Sequence, residues 1–158
     1  MLPFQSFTGR VLAAVLAAAP LAAGCASLTA GPAVAQQVES QKIVVHLGSF
    51  TNDLHSAFMA FSLATNMQKA GASVTVFLDR EGVRLADQRE RGDLTWGDSG
   101  PISKAMSDFV AAGGKVVVCP HCAELAGMTA SNLRPGATLA SHQDVASLMI
   151  EADKVIDF

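Results

Sequence analysis

Three short runs of mainly β-branched and aliphatic residues constrain the fold of this chain more than any other feature of its sequence. They are residues 43–47, 74–78 and 116–119. Such runs are typical of strands that are covered on both faces of a parallel sheet. Helical patterns separate the runs, and this alternation favours right-handed crossovers between parallel strands. The sequence therefore predicts an α/β fold, a three-layer α/β/α sandwich.

The helices between these strands are bounded by capping residues and glycines. Residues 53–70 are almost wholly apolar and fit a buried helix with Thr51 or Asn52 as its N-cap. A second helix is predicted from about Pro101 to the glycines at 113–114. Because the first helix is apolar nearly all round, we expect another subunit to cover part of it in a homo-oligomer, a trimer or hexamer before a dimer.

The last third of the chain supplies the remaining strands. Ser141 and Asp144 form a predicted capping box for a final helix, which leads into a strand at 155–158. A short strand around 138–139 would be the fourth of five in the parallel sheet. The polar connection at 87–100 is predicted to be a solvated loop, a lid or a subunit contact.

The first 35 residues have the composition of an export signal. Arg10 is their one charged side chain, and an apolar core that is too short to span a bilayer begins at residues 11–19. Residues 33–35 (AVA) supply the small-x-small pattern that a signal peptidase accepts. We therefore expect cleavage after Ala35.

A lipoprotein signal is the alternative, because residues 21–25 resemble a bacterial lipoprotein box that ends at Cys25. Only lipidation of that cysteine would attach the protein to a membrane. In both cases we expect a periplasmic or secreted protein, with a short linker at 36–41 and one domain at 42–158. Paired thiols outside the cytoplasm are normally oxidised unless a reductant is supplied.

Two classes of ligand are excluded by the sequence: nucleic acids by its composition, and nucleotide cofactors by the residues that follow the first strand. The formal net charge is −3, and it is −4 once Arg10 is removed with the signal. Aromatic residues make up 6% of the chain, so both the basic patch and the stacking surface of a nucleic-acid-binding protein are missing from the sequence. Residues 48–52, after the first strand, contain a single glycine and form no phosphate-binding loop, so no cofactor is predicted.

The candidate reactive residues form the tetrapeptide Cys119-Pro120-His121-Cys122, where a buried strand turns into a helix. Ligands of parallel sheets meet the carboxyl ends of the strands. A thiol at a helix start lies among unpaired backbone N–H groups, which stabilise the thiolate. We therefore predict that Cys119 is the nucleophile, that Cys122 resolves a sulfenate or persulfide on it, and that His121 tunes the thiolate.

Other interpretations of this tetrapeptide stay open at the level of the sequence. Cys-Pro-His-Cys is also the active-site motif of DsbA-type oxidases, although only 36 residues follow Cys122, too few for the usual position of the motif in a thioredoxin fold. Cys119, His121 and Cys122 could instead bind copper(I) or zinc in a non-catalytic module. The two cysteines could also pack as small hydrophobic residues. The remaining histidines are interpreted as packed or solvated side chains: His46, His55 and His142.

Several segments of the chain resemble the DsrE/DsrF-like family of sulfur-relay proteins. They are residues 42–47, the apolar helix around 57–61, residues 73–86, and residues 116–119 continuing into 122–128. The resemblance covers about residues 42–158, and the strand–Cys–helix–Gly segment is its most specific part.

The resemblance implies an α/β/α sandwich on a five-stranded parallel sheet, usually assembled as trimers or hexamers. It also implies that Cys119 carries persulfide sulfur between partner proteins, a role that it does not extend to Cys122. The export signal departs from the relatives that work in cytoplasmic sulfur pathways. The sequence thus predicts an extracytoplasmic sulfur carrier or thiol protein, whose partner is a sulfur donor or acceptor or a thiol-redox protein. It does not decide between an enzyme and a carrier.

Overall fold

The computed structural model describes residues 40–158, so the predicted signal at 1–35 and most of the predicted linker lie outside the described residues. The strands are β1 (Lys42–Leu47), β2 (Ser73–Leu78), β3 (Lys115–Val118), β4 (Ala137–Leu139) and β5 (Lys154–Asp157). The helices are α1 (Leu54–Lys69), α2 (Ile102–Ala111), α3 (Pro120–Leu125) and α4 (His142–Ile150), with 3₁₀ helices at Arg80–Ala86 and Ala130–Asn132. Within the described part of the chain, no helix has the length and hydropathy needed to cross a membrane.

The five strands form one sheet with the order β4-β3-β2-β1-β5, and every neighbouring pair is parallel. The predicted fold class is confirmed. Each predicted strand agrees with the observed one to within one residue at either end. For β1, β2 and β3 the reason is that continuous β-branched runs leave little choice of position in a buried parallel sheet.

The connections place helices on both faces of this sheet. From β1 to β4 the chain moves toward one edge, and α1 and α2 cover the face that carries Val45 and Val76. The return from β4 to β5 crosses the whole sheet, and α4 lies over the opposite face, where Leu148 and Val44 line the same cavity. The two covered faces give the predicted three layers.

The N-cap of α1 differs from the prediction. Neither Thr51 nor Asn52 caps the helix, because the Asp53 carboxylate accepts hydrogen bonds from the Ser56 main-chain N–H at 3.0 Å and from its hydroxyl at 2.7 Å. The Asn52 side chain instead accepts a hydrogen bond from the Phe50 N–H at 2.9 Å. The helix begins one residue later than its first predicted residue, with a carboxylate at its positive end.

The apolar surface of α1 is mostly covered within one chain. Phe58 and Phe61 are buried, and Phe61 packs edge-on against Phe109 of α2 with ring centroids 5.9 Å apart. Met59 is the one large apolar side chain of α1 that is strongly exposed, at 46%. The sheet face covers one stripe of α1, and α2 covers a second stripe that sequence analysis had assigned to another subunit. The homo-oligomer stays a prediction, without support from this helix.

The polar connection at 87–100 begins with a segment that is tied to the body of the domain. Asp87 is buried, and its carboxylate accepts hydrogen bonds from Arg89 Nε at 3.0 Å and Nη2 at 2.6 Å. Arg134, near the start of β4, donates to the main-chain carbonyl of Glu90, within the connection, at 2.6 Å. The first residues of the connection therefore have a structural role rather than that of a free lid.

The Asp87→Asn variant is expected to lose about 1–3 kcal/mol of stability at neutral pH, because a buried carboxylate loses its bidentate, charge-assisted hydrogen bonds with the half-exposed Arg89. The hydrogen bonds from Arg89 hold the pKa of Asp87 below 3.8. A carboxylate with a lowered folded-state pKa stabilises the fold above its unfolded pKa, and this stabilisation is lost as the pH falls through the folded value. Thermal denaturation should therefore show a gap between wild type and variant at neutral pH that closes in acid.

Asp93→Asn is the matched control, since Asp93 also pairs with an arginine two residues away but has a side chain that is 68% exposed. This variant should change the melting temperature little, both at neutral pH and in acid. Equal losses in the two variants, or a gap for Asp87→Asn that persists in strong acid, would contradict the assignment.

Candidate active site

The carboxyl edge of the sheet brings together the ends of three neighbouring strands. Gly48 follows β1, Asp79 and Arg80 follow β2, and Cys119 follows β3. The Cys119 N–H donates to the Leu78 carbonyl at 2.9 Å, so the strand pairing continues to the cysteine. This is the edge at which parallel sheets bind ligands.

Cys119 and Cys122 lie at the start of α3 in contact with each other. Cys119 is the N-cap, and Pro120 is the first helical residue, where its fixed φ and missing N–H are tolerated best. Both thiols are free and half-buried, and Cys119 lies close enough to help raise the pKa of the Cys122 thiol. The Cys-x-x-Cys spacing on one helical turn is what brings the second thiol to the first.

The surroundings of Cys122 favour its neutral form. Burial is the largest effect and raises the pKa of the Cys122 thiol above its ordinary value of 9.0. The hydrogen bond with Cys119 and the charge of Asp79 also raise this pKa, whereas a hydrogen bond from the Arg80 main-chain N–H lowers it. Cys122 is therefore protonated at neutral pH, and its S–H can donate a hydrogen bond to a neighbouring sulfur.

Arg80 has an unusual conformation beside Cys122. Its φ is 44°, and it is the one non-glycine residue with positive φ between residues 40 and 158. Such a conformation costs about 1–3 kcal/mol and is found most often at functional sites. The guanidinium lies over Gly48, where an added β-carbon would be 1.9 Å from Nη2, and Nε donates to Asp79 Oδ1 at 3.1 Å. No local pattern in the sequence predicts this conformation of Arg80.

His46 connects β5 and β2 through two carboxylates. Its Nδ1 lies 2.6 Å from Asp157 Oδ1, and its Nε2 lies 2.9 Å from Asp79 Oδ1. The imidazole also stacks on Phe77, with centroids 5.8 Å apart. Both hydrogen bonds are complete when each ring nitrogen carries a proton. His46 is thus a packed residue that fixes Asp79, the carboxylate that in turn holds Arg80.

The third residue predicted for the site, His121, is exposed on the first turn of α3. Among the described residues, no three or more His, Cys, Asp or Glu side chains form a group that could hold a metal ion. Two further histidines also lie elsewhere, since His55 stacks on Trp96 and His142 is exposed at the start of α4. The structure therefore brings the two cysteines together and does not join His121 to them in a metal site.

A cavity of about 250 Å³ opens beside Cys122. Its lining comprises Arg80, Glu81, Arg84, Cys122, Leu125 and Ala126. Cys119 is not part of this lining, although both thiols are half-buried. A second cavity, of about 230 Å³, lies between α4 and the amino ends of β1 to β3, and no cysteine lines it.

Comparisons with known proteins agree with this architecture. A model of the DsrE/DsrF-like family matches residues 41–158. The crystal structure of the ychN protein from E. coli is similar, with a TM-score of 0.61 and 20% identity over 75% of this chain and 99% of that one.

Two proteins described as of unknown function also share the fold. MTH1491 from Methanobacterium thermoautotrophicum has a TM-score of 0.58 and 15% identity over 75% of this chain and 99% of that one. BT1422 from Bacteroides thetaiotaomicron has a TM-score of 0.55 and 15% identity, over 75% and 95% of the two chains. No curated protein matches the sequence.

Proposed function

Because the chain belongs to the DsrE/DsrF-like family, we propose that it is an extracytoplasmic sulfur carrier in which Cys119 holds sulfane sulfur as a persulfide. The observation that carries the proposal is the pair of free, half-buried thiols on the first turn of α3, at the carboxyl edge of the sheet. The location outside the cytoplasm is proposed from the composition of residues 1–35 alone.

Uptake transfers one neutral sulfur atom. The Cys119 thiolate attacks the terminal sulfur of a donor persulfide or polysulfide, a new S–S bond forms on Cys119, and the S–S bond of the donor breaks. The electron pair of the broken bond leaves with the thiolate of the donor. During this step the Cys122 thiol acts as a hydrogen-bond donor to the attacking sulfur and keeps its proton.

Release uses the second thiol. The Cys122 sulfur attacks the inner sulfur of the Cys119 persulfide, its proton passes to the outer sulfur, and a Cys119–Cys122 disulfide forms as hydrogen sulfide leaves. The sulfane sulfur gains two electrons, and the two cysteines lose them, so no outside reductant enters this step. The contact between the two thiols supports it, because a neighbouring nucleophile has a high effective concentration.

The same contact favours a second candidate, thiol–disulfide exchange without any sulfur cargo. In that case the Cys119–Cys122 disulfide would form from a partner disulfide, with the partner leaving as a dithiol. The persulfide intermediate distinguishes the two functions.

Intact-mass spectrometry after treatment with inorganic polysulfide tests the proposal. The full chain should carry Cys25→Ser, which leaves Cys119 and Cys122 as its thiols. Adding Cys122→Ser should leave a protein that gains about 32 Da, one sulfur atom, whereas adding Cys119→Ser should abolish this adduct. An adduct of equal yield in the Cys119→Ser protein would contradict the assignment of the carrier residue.

A further inference from the structure

We propose that the cavity between α4 and the amino ends of β1 to β3 binds a small monocarboxylate with an apolar body, and that Thr75 and Lys115 together hold its carboxylate. The cavity has a volume of about 230 Å³. It lies at the edge of the sheet opposite Cys119 and Cys122, so the proposal is independent of the sulfur chemistry.

The hydroxyl of Thr75 is the observation that points to a ligand. Thr75 is 8% exposed, and its hydroxyl makes no hydrogen bond with any described residue. Buried hydroxyls are normally hydrogen-bonded. Between residues 40 and 158 no fully enclosed polar side-chain atom lacks a partner, so this unpaired hydroxyl still has access to the cavity that Thr75 lines. A ligand in the cavity can therefore supply the missing partner.

The direction of the Thr75 side chain follows from the alternation along β2. Val74 and Val76 belong to the core that α1 and α2 cover, so Thr75, which lies between them in the sequence, faces the side of α4. Leu148 of α4 lines the same cavity. The hydroxyl therefore points between the sheet and this helix rather than into the main core.

Lys115 provides a positive charge beside this hydroxyl. Thr75 and Lys115 are register partners on β2 and β3, so their side chains leave the same face of the sheet from strands about 4.8 Å apart. Lys115 also lines the cavity, and it makes no ion pair with any described residue. A hydroxyl and an ammonium can both donate to the oxygens of one carboxylate, which accepts several hydrogen bonds.

The two other charged residues of the lining are paired with each other. Lys42 Nζ lies 2.9 Å from a carboxylate oxygen of Glu151. This pairing weakens the repulsion that Glu151 would exert on an anion, and it leaves Lys115 as the available cation of the described lining. One available cation matches a single negative charge, so a monoanion is favoured over a phosphate.

Apolar side chains form the rest of the cavity wall. They include Val44, Leu148 and Ala152, so a ligand with an apolar body gains from burial where an inorganic anion would not. A volume of about 230 Å³ lies below the range of about 300–1,000 Å³ that is typical for drug-sized ligands. The occupant is therefore a small organic carboxylate.

Titrations of the ¹⁵N-labelled full chain carrying Cys25→Ser, followed by amide chemical shifts, test the proposal. Benzoate and benzamide are the probes, because they are alike in size and shape and differ in charge. We expect benzoate to bind at least about fivefold more tightly, since the hydrogen bonds of a charged acceptor are the stronger ones. The preference should decrease at high salt because Lys115 is exposed. The shifted amides should cluster at Thr75, Leu148 and Ala152.

Two variants remove the proposed contacts one at a time. Thr75→Val keeps the shape of the side chain and should weaken benzoate binding about fivefold. It should not lower the melting temperature of the free protein, because the hydroxyl that is removed has no partner among the described residues. Lys115→Gln should reduce the affinity for benzoate to that for benzamide.

Thr138→Val and Lys154→Gln are the matched controls. They make the same chemical changes on β4 and β5, at residues that do not line the cavity. Both variants should bind benzoate as tightly as the parent protein does.

Benzoate shifts that do not saturate, as expected for a cavity that holds only water, would overturn the proposal. Equal affinities for the two probes, saturable shifts centred on other residues, or a preference that survives Lys115→Gln would also overturn it. Because no thiol takes part, a missing 32 Da adduct on Cys119 would count against the sulfur carrier alone.

Discussion

The Cys122→Ser variant is expected to take up sulfane sulfur and to retain it. In the proposed release step the Cys122 sulfur, which lies beside Cys119, attacks the persulfide from within the same site. A serine hydroxyl is a far weaker nucleophile toward sulfur, and an external thiol lacks the proximity of a neighbouring group. We expect the release of sulfide from the loaded protein to slow by at least about a hundredfold. Colorimetric detection of sulfide after removal of excess polysulfide measures this rate.

Glu124→Ser is the matched control for this experiment. It places the same serine side chain on α3, at an exposed position that does not line the cavity beside Cys122. It should release sulfide at the rate of the parent. If Cys122→Ser also releases sulfide at that rate, Cys122 has no part in the release step.

The Gly82→Ala variant is expected to lose more than about 3 kcal/mol of stability. An added β-carbon at Gly82 would lie 2.2 Å from the main-chain oxygen of Leu47. That oxygen belongs to a central strand of the sheet and cannot move as a flexible side chain could. Thermal denaturation followed by circular dichroism should show a melting temperature lower by about 10 °C or more.

Gly97→Ala separates this clash from the general cost of replacing a glycine. Gly97 has a φ of +53° with nothing within 4 Å of the added β-carbon, so its substitution should cost about 1–2 kcal/mol from backbone strain alone. Similar losses in the two variants would mean that the close approach of the 3₁₀ helix to β1 is not a constraint on the fold.

The fold was predictable because its signals are local. Continuous β-branched runs marked β1, β2 and β3 to within one residue at either end, and the Ser141 and Asp144 capping box marked the start of α4. The Cys-x-x-Cys spacing likewise placed two thiols on one helical turn without any knowledge of the rest of the chain.

The features that sequence analysis missed depend on contacts between distant segments. His46 meets Asp79 and Asp157 because three strands end in register at the same edge. The left-handed conformation of Arg80 and its contact with Gly48 require the exact approach of two strand ends, which no local pattern encodes. Coverage of α1 by α2 similarly depends on how two helices pack, so counting the apolar residues of α1 overestimated its exposed surface.

The most direct test of the sulfur-carrier account is a time course of intact mass for the chain carrying Cys25→Ser, with both site thiols present, after one addition of polysulfide. The account predicts an early species about 32 Da heavier than the reduced protein, followed by one about 2 Da lighter as the disulfide forms and an equal amount of sulfide appears. Direct appearance of the lighter species, with no heavier species before it even at the earliest times, would contradict sulfur carriage and favour thiol–disulfide exchange.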